Sequence, residues 1–327
     1  MNQRRLRENE WIRDLVREVV VRPEALVQPH FVVQGLGGPE AVPGLTGVFR
    51  ENEESLLKRV ESDLENSGVR KLLLFGVPNE KANGNFKVDF TARQVERLRA
   101  AFGKNLFIAV DVCFCSYSTH GHCGVLHAEG DHLENAATVS ELAKASLVYA
   151  QAGADCVAPS DMMDGRVAAI RKMLDENGFS RRLLMSYSAK FHSSFYGPFR
   201  VAADSSPQKS GQKNLLHDRS TYQIDPSHPR DAYLSSERDA KEGADILMVK
   251  PGLAYLDILQ DLSRRIEKPW AVYEVSGEYA AIEVLAERGL IDARRAHLES
   301  WTAFFRAGAS MVITYGARHA RKWLSES

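Results

Sequence analysis

Three of the four cysteines of this chain stand close together, in the stretch DVCFCSYSTHGHC. Residues two apart in an extended chain point the same way, so Cys113 and Cys115 can present thiolates together while the loop brings Cys123 back. Three thiolates with an open fourth position are typical of a catalytic zinc site. The alternatives are a regulatory disulfide or unliganded core cysteines, although C-x-C is not the usual redox spacing. The pattern favours a metal site; His120 and His122 could join it but are interpreted as solvated loop side chains.

Two lysines, Lys190 and Lys250, follow two consecutive apolar runs. A single lysine at the end of a strand is most often a solvated or snorkelling charge. Two lysines on neighbouring strands would face each other, and both repulsion and desolvation would lower the pKa of an ammonium group. The neutral amine is the form that attacks a ketone to give a Schiff base. Imine chemistry and phosphate binding both remain open here, although a phosphate-binding barrel would prefer glycine-rich turns after its last two strands, where only Gly277 and Gly316 stand.

Further polar side chains follow the apolar runs, at the strand ends where a barrel places its active site. They are Asp111, Ser160, Asp161, Ser276 and Tyr315. The long Ser/Gly/Lys-rich connection at residues 191–229 adds Arg200 and Arg219. Guanidinium groups bind carboxylates through paired hydrogen bonds, so two arginines on a lid above a lysine pair could clamp a substrate carboxylate. A connection this long is more often a functional lid than an idle linker.

Eight short apolar runs, each of a length typical of a strand buried on both faces, must position these residues. They cover residues 30–34, 71–77, 106–112, 154–160, 182–188, 244–250, 269–275 and 309–315. Amphipathic stretches separate most of them, and Thr91 and Gln94 are spaced as a capping box for one predicted helix. Eight strands alternating with helices predict an α/β fold, a (β/α)8 TIM barrel. A doubly wound open sheet is the alternative, but no G-x-G-x-x-G follows the first run. Cys156, within the fourth run, is predicted to be inert core filler.

The composition is that of an ordinary globular protein, with 327 residues of which 44% are hydrophobic and 26% charged. The 42 basic and 43 acidic residues leave a net charge of −1, which argues against a general nucleic-acid or membrane-surface role. No apolar run approaches the ~20 residues of a membrane span, and the N-terminus lacks the apolar core of a secretory signal, so a cytoplasmic location is expected. The predicted domains are an N-terminal arm, residues 1–25, and a catalytic barrel, residues 26–327, that includes the lid at 191–229.

Several long motifs resemble the porphobilinogen synthase (5-aminolevulinate dehydratase) family, in its zinc-cysteine type. Besides the cysteine stretch, they are VAPSDMMDGR, MSYSAKF, SFYGPFR, GADILMVKPG, YEVSGEY and ITY, in order along the chain. The resemblance implies a lyase that condenses two molecules of 5-aminolevulinate to porphobilinogen, with loss of two waters, in tetrapyrrole (heme) biosynthesis. It also implies a catalytic Zn2+ and a homo-octamer in which the N-terminal arm wraps a neighbouring subunit.

The resemblance also implies a role for each matching residue. Lys250 matches the lysine that holds the first, P-side substrate as a Schiff base, and Lys190 matches the lysine that engages the second, A-side substrate. The implied zinc ligands are Cys113, Cys115 and Cys123. The implied carboxylate-binding residues are Ser276 and Tyr315 on the P side and Arg200, Arg219 and Gln223 on the A side. The implied floor of the site is formed by Asp111, which orients an ammonium group or shuttles a proton, with Ser160 and Asp161.

Three features depart from the family pattern. Gly316 follows Tyr315 where the family usually has a bulky side chain, extra residues around 210–217 lengthen the lid, and Ser235 replaces the glutamate of magnesium-stimulated members. An allosteric Mg2+ site is therefore not favoured. Two other functions remain open: a class I (Schiff-base) aldolase acting on another ketone, which would need one lysine and no arginine clamp, and a non-catalytic metal-binding or assembly protein. The last is disfavoured because an inert barrel has no reason to collect lysine, serine and tyrosine at its rim.

Overall fold

The parallel strands of this chain close into a barrel. The computed structural model describes residues 2–207 and 216–326. Its strands are β1 (Leu26–Val33), β2 (Glu40–Ala41), β3 (Phe49–Glu51), β4 (Lys71–Val77), β5 (Phe107–Val112), β6 (Cys156–Pro159), β7 (Leu183–Lys190), β8 (Ile246–Lys250), β9 (Trp270–Tyr273) and β10 (Met311–Ile313). Strands β1 and β4 to β10 pair in parallel in chain order, and β10 returns to pair with β1. The predicted (β/α)8 barrel is confirmed.

Each of the eight predicted runs overlaps one barrel strand, and the largest difference in boundaries is at the first. Strand β1 begins at Leu26, four residues before the predicted start, because it includes Gln28 and Pro29. Gln28 is buried, and its amide oxygen accepts a hydrogen bond from the backbone N–H of Arg318 at 3.1 Å. A polar side chain with a partner is tolerated inside a buried strand, so the apolar pattern alone placed the start too late.

Helices connect the barrel strands and pack around them. They are α1 (Glu10–Leu15), α2 (Glu53–Asn66), α3 (Asp89–Phe102), α4 (Asn135–Gln151), α5 (Arg166–Glu176), α6 (Gly197–Ala202), α7 (Pro229–Lys241), α8 (Leu256–Arg265), α9 (Ser276–Glu287), α10 (Ala293–Arg306) and α11 (Ala320–Ser325). The capping box predicted at Thr91 and Gln94 is wrong. Helix α3 begins at Asp89, and both side chains are buried within the helix instead of capping its end.

Side chains of the barrel strands alternate between two apolar clusters. In β4, Leu72 and Leu74 pack with the surrounding helices, whereas Leu73 and Phe75 belong to the cluster that fills the barrel. This alternation follows from the two-residue period of a strand. Cys156 of β6 lies in the barrel-filling cluster, where burial raises the pKa of its thiol. Its surroundings agree with the interpretation of this cysteine as core filler.

A buried polar network lies beneath the ends of β9 and β10. His297 of α10 contacts Glu274 through Nδ1 at 3.2 Å and Glu283 through Nε2 at 2.9 Å. Glu274 also accepts hydrogen bonds from Trp301 Nε1 at 3.1 Å and Thr314 Oγ1 at 2.5 Å. Burial opposes the charged imidazole, but the bonds to the two carboxylates outweigh it and raise the pKa of His297 to about 9. The network therefore holds a buried ion pair at the carboxyl ends of the last two barrel strands.

The two segments predicted to lie outside the regular barrel have distinct environments. Residues 2–25 contain a short 3-10 helix and α1, whose Trp11 and Leu15 side chains are more than four-fifths exposed, at 82% and 85%. The lid includes α6 and returns to the barrel where Ile224 pairs with Phe191. Its predicted insertion around residues 210–217 lies outside the described residues except for Leu216 and His217. Within the described chain, no helix has both the length and the apolar character needed to cross a membrane.

Candidate active site

Lys190 and Lys250 end adjacent strands and lie side by side. They are register partners in the β7–β8 pairing, and each is 4% exposed. The pairing shifts by one residue between Ser186 and Ala189 of β7, which is a β-bulge. Because a one-residue slip changes the face to which a side chain points, the bulge lets both Tyr187 and Lys190 face the barrel interior. The predicted lysine pair is therefore present in the fold.

Aromatic rings surround the amine of Lys250. Its Nζ atom lies 4.1 Å from the ring centroid of Tyr273, 4.9 Å from that of Phe199 and 5.1 Å from that of Tyr187. Burial, followed by the positive charge of Lys190, lowers the pKa of Lys250 to about 7. The side chain of Lys190 donates a hydrogen bond to the backbone carbonyl of Ser160. Near pH 7, a large share of Lys250 is the nucleophilic neutral amine.

Asp111 lies near the end of β5, close enough to both lysines for their charges to act on it. Its Oδ1 atom is buried and has no hydrogen-bond partner. Burial, together with the neighbouring Cys115 thiolate, raises the pKa of Asp111 to about 7, although the two lysines act in the opposite direction. A carboxyl group that titrates near neutrality can take up or release a proton during a reaction.

The three clustered cysteines converge in a buried group. The Sγ atoms of Cys113 and Cys115 are 3.5 Å apart, and the three sulfur atoms all lie within 4.8 Å of one another. Hydrogen bonds from the thiols of Cys113 and Cys123 lower the pKa of the Cys115 thiol well below its usual range. The three sulfur atoms form a donor set for a divalent cation that favours thiolate ligands. Such a cation would take the place of the thiol protons that now stabilise the Cys115 thiolate. These residues can hold a metal ion.

The interpretation of His120 and His122 as solvated loop side chains is wrong. Both are buried, and burial lowers the pKa of His120 to about 4 and also lowers that of His122. The imidazole of His122 lies within hydrogen-bonding distance of Tyr222 Oη at 3.1 Å and of the Leu216 carbonyl at 3.2 Å. His122 therefore ties the cysteine loop to the lid, a contact that local sequence could not reveal.

The lid brings unpaired cationic and amide groups over the site. Arg219 is buried, and its Nη2 atom donates to the carbonyls of Gly121 at 3.1 Å and Ser205 at 2.6 Å. Buried atoms without a hydrogen-bond partner remain on this face: Nε of Arg200, Nε of Arg219, and both amide atoms of Gln223. Leaving such groups unpaired is costly, and a carboxylate is the ligand that would satisfy guanidinium and amide donors together. These groups of the lid are therefore chemically suited to bind an anion.

Ser276 and Tyr315 follow β9 and β10, the two barrel strands that come after the Lys250 strand β8. The hydroxyl of Ser276 accepts a hydrogen bond from the Phe199 backbone N–H at 3.0 Å and donates to the Phe195 carbonyl at 3.3 Å. Tyr315 accepts a hydrogen bond from the hydroxyl of Tyr273, the residue whose ring lies closest to the Lys250 amine, at 3.3 Å. The predicted P-side residues are thus connected to the lid and to the environment of Lys250.

Ser160 and Asp161, which were predicted to line the floor of the site, make different contacts. Ser160 contacts Lys190 through its backbone carbonyl. Asp161 accepts a hydrogen bond from the Met163 backbone N–H at 2.6 Å and lies 3.5 Å from the buried guanidinium of Arg166. Arg166 in turn contacts Asp239 of α7 at 3.1 Å. Asp161 therefore forms part of a buried ion network beneath the site.

Sequence reasoning missed the aromatic residues and one carboxylate. Tyr187 has a buried hydroxyl without a partner, and the only sequence signal was its position three residues before Lys190. Glu278 of α9 accepts hydrogen bonds from the backbone N–H groups of Gly252 at 3.2 Å and Leu253 at 2.6 Å, immediately after Lys250. Burial raises the pKa of Glu278 to about 7. This carboxylate fixes the turn that carries Lys250 into α8.

The absence of a large side chain at Gly316 has a packing reason. A Cβ atom at this position would lie 3.0 Å from Cζ2 of Trp301 and 3.5 Å from Cζ3 of Trp323. The two indole rings stack with centroids 5.6 Å apart. They occupy the space that a bulkier residue after Tyr315 would need.

Comparison with known proteins agrees with this arrangement. The family model for delta-aminolevulinic acid dehydratase matches residues 1–323. The chain belongs to this family. The delta-aminolevulinic acid dehydratases of Synechococcus elongatus and Staphylococcus aureus are each 40% identical to it, over 98% and 99% of this chain respectively and 98% of each relative.

A solved structure of a delta-aminolevulinic acid dehydratase is also closely similar. The crystal structure of the enzyme (porphobilinogen synthase) from Toxoplasma gondii ME49, in complex with the reaction product porphobilinogen, superposes with a TM-score of 0.93 at 40% identity. The alignment covers 100% of this chain and 92% of that chain. The dehydratase fold is therefore preserved over the whole chain.

Proposed function

We propose that this chain is a porphobilinogen synthase, a lyase that condenses two molecules of 5-aminolevulinate to porphobilinogen with release of two waters, in heme biosynthesis. The observation that carries the proposal is the buried, adjacent pair of Lys190 and Lys250. The lid supplies unpaired guanidinium and amide groups suited to one carboxylate, and Ser276 and Tyr315 supply hydroxyls suited to another. Two amines and two carboxylate sites allow two keto acids to be held side by side. Membership of the dehydratase family supports the same function.

Lys250 is proposed to hold the first substrate as a Schiff base. Its neutral amine attacks the ketone carbon, a C–N bond forms, and the carbonyl oxygen leaves as water after proton transfer. Ser276 and Tyr315 bind the carboxylate of this substrate. The rings of Tyr273 and Phe199 exclude water from the amine and favour its neutral form.

Lys190 is proposed to engage the second substrate. Arg200, Arg219 and Gln223 bind its carboxylate with the donors that have no other partner. Asp111 accepts and returns protons, because its pKa lies close to that of Lys250 and to neutral pH. Asp161 supports the floor through Arg166, and Ser160 orients the Lys190 amine through its carbonyl.

Zn2+ is the metal that we propose for Cys113, Cys115 and Cys123. Three converging thiols suit zinc better than a hard cation, and they leave a fourth position open. When bound, zinc would supply a Lewis acid next to the second substrate. An allosteric Mg2+ site is not part of the proposal, because the Ser235 hydroxyl donates to Asp231 at 3.2 Å where a glutamate would be required.

Assembly and location complete the proposal. The N-terminal arm, residues 1–25, is proposed to mediate a homo-octamer around the barrel domain of residues 26–327, and the exposed Trp11 and Leu15 support a contact with a neighbouring subunit. The enzyme is proposed to act in the cytoplasm on a small-molecule substrate, without nucleic-acid or membrane partners.

Trapping with borohydride tests the reaction. Reduction in the presence of 5-aminolevulinate is expected to leave adducts on Lys250 and Lys190, and the unreduced enzyme is expected to form the pyrrole product. Lys250→Met should abolish product formation, whereas Lys241→Met, at a lysine whose side chain is 72% exposed, should leave it unchanged. Unmodified Lys190 and Lys250 would refute the proposal. An adduct on one lysine without any pyrrole would point to an aldolase instead.

A further inference from the structure

A tight turn between the cysteine loop and α4 carries five residues with metal-binding side chains. We call residues 127–134 the histidine turn. Leu126 pairs with Leu133 in an antiparallel bridge, and the backbone N–H of His127 donates to the carbonyl of His132 at 2.9 Å. Gly130 adopts a φ of 74° and donates to the His127 carbonyl at 2.8 Å, which closes the turn. The two histidines therefore face each other across a short hairpin.

The imidazole rings are stacked and share their neighbours. Their centroids are 4.4 Å apart with an interplanar angle of 22°. Oδ1 of Asp131 lies 3.2 Å from Nδ1 of His127 and 2.7 Å from Nδ1 of His132. On the other edge, Oε1 of Glu134 lies 3.7 Å from Nε2 of His127 and 3.9 Å from Nε2 of His132. One carboxylate thus faces both Nδ1 atoms, and another faces both Nε2 atoms.

This arrangement aims two ring nitrogens and a carboxylate oxygen at one point. When Asp131 accepts hydrogen bonds from both Nδ1–H groups, the lone pairs of both Nε2 atoms are free to bind a metal. Metal-bound histidines usually have such a hydrogen-bond acceptor at their other ring nitrogen. The backbone N–H of Glu129 also approaches Nδ1 of His127, at 3.3 Å, and competes with Asp131 for that ring only. Two imidazolium rings stacked at 4.4 Å would repel each other, whereas two neutral rings would direct their lone pairs at the Glu134 oxygen. A cation bound between these three atoms removes both the need for charged rings that repel each other and the direct approach of nitrogen lone pairs to the carboxylate oxygen.

The distances suit an ion of the size of zinc. Ligand atoms around a tetrahedral Zn2+ lie about 3.3 Å apart, since the bonds are about 2.0–2.2 Å long. The Nε2–Oε1 distances of 3.7 and 3.9 Å are too long for hydrogen bonds and need to shorten by only about half an ångström. The side chains are partly exposed, so rotation about their own bonds can provide this movement.

We propose that the histidine turn binds a divalent transition-metal ion such as Zn2+, through Nε2 of His127, Nε2 of His132 and the carboxylate of Glu134. Asp131 orients both rings, and solvent completes the coordination. The site is separate from the cysteine group and differs from it in donor chemistry. Its ion would join the two arms of the turn that leads from Cys123 into α4.

Zinc binding to the full-length protein, prepared metal-free under reducing conditions, tests the proposal by equilibrium dialysis. The wild type should bind one more zinc per chain than the double variant His127→Gln with His132→Gln. The matched control Glu129→Gln should bind as many ions as the wild type. Asp131→Asn should weaken this one site about 10- to 100-fold, as expected for loss of a carboxylate that orients a metal-bound histidine.

Cobalt identifies which donors are used. Co2+ at the cysteine group gives thiolate-to-metal charge-transfer bands, whereas Co2+ at the histidine turn should give only weaker ligand-field bands that the double variant loses. Equal zinc binding by the double variant and the wild type would overturn the proposal. So would loss of the ion in Glu129→Gln but not in His132→Gln, since that pattern would place the ion on other ligands. Porphobilinogen formation by the double variant should match the wild type, which separates this result from failure of the proposed function.

Discussion

Replacing Lys190 by glutamine should move the titration of Lys250 upward. In the wild type, a pKa of about 7 leaves about half of the Lys250 amines neutral at pH 7. An ordinary lysine with a pKa near 10.4 would have about 4 neutral amines in 10,000, a difference on the order of 5 kcal/mol in protonation free energy. Burial is the larger cause of the shift, and the charge of Lys190 is the next. The variant removes only the second cause.

The size of that second contribution follows from the register of the two strands. Lys190 and Lys250 are direct partners on adjacent strands, which lie about 4.8 Å apart. Two unit charges about 5 Å apart, at an effective dielectric constant of about 20, repel by about 3 kcal/mol, or about 2 pKa units. We therefore expect the pKa of Lys250 to rise by one to two units in Lys190→Gln, by the order of magnitude of this calculation.

Reductive trapping of a ketone measures this titration directly. Levulinate has the ketone and carboxylate of the proposed substrate but no amine, so it can form an imine without completing the reaction. With cyanoborohydride at a series of pH values, the initial rate of Lys250 labelling in Lys190→Gln should be about 5- to 50-fold below wild type at pH 7, because the neutral fraction falls from about one half to between about 9% and 1% for a rise of one to two units. The two rates should converge in strongly alkaline solution.

Lys190→Arg is the matched control because it keeps the positive charge. Its labelling midpoint should stay closer to the wild-type value than that of Lys190→Gln. Identical midpoints in wild type and Lys190→Gln would refute the reasoning, since they would show that the neighbouring charge does not act on Lys250.

Three further variants test other parts of the structure. The pKa of His297 is raised to about 9, so its ion pairs contribute about 3 kcal/mol to the free energy of unfolding below pH 6.5. This contribution is lost as the pH rises through 9. Between pH 6.5 and pH values above 9, the melting temperature of His297→Gln should therefore fall less than that of wild type. Glu278→Gln should lower kcat more than it changes KM, because it loosens the turn after Lys250, and an unchanged kcat in steady-state assays would contradict this role. Gly316→Val should destabilise the protein by about 1–3 kcal/mol in urea unfolding, because its side chain would press on Trp301; equal stability would show that the indoles can move aside.

Much of the barrel could be predicted because its strands are short, apolar and buried on both faces. The polar strand ends could be located for the same reason, since parallel strands bring their carboxyl ends to one rim. The errors occurred where a polar side chain was satisfied by a distant partner. Gln28 lies in β1 because Arg318 supplies its hydrogen bond, and His122 is buried because Tyr222 and Leu216 arrive from the lid.

The sequence did not reveal the aromatic residues around Lys250 for a related reason. Tyr187, Phe199 and Tyr273 come from three different segments and meet only after the barrel closes. In a local reading, an aromatic residue in an apolar strand looks like core packing. Similarly, Arg166 contacts both Asp161 and Asp239 of α7, and Asp239 lies far along the chain.

The bulge in β7 makes the number of residues in that strand as important as their chemistry. Deleting one residue between Ser186 and Ala189 would restore a regular ladder and keep Lys190 opposite Lys250. Inserting one residue there, without a second irregularity, would instead turn Lys190 toward the surrounding helices, because successive side chains of a strand alternate between its two faces. An insertion that removes no reactive group would thus leave an enzyme with one amine in its cavity. The number of residues in this strand therefore decides which reactive groups the cavity contains, and a scan of single-residue insertions and deletions would show a functional boundary that substitutions cannot reveal.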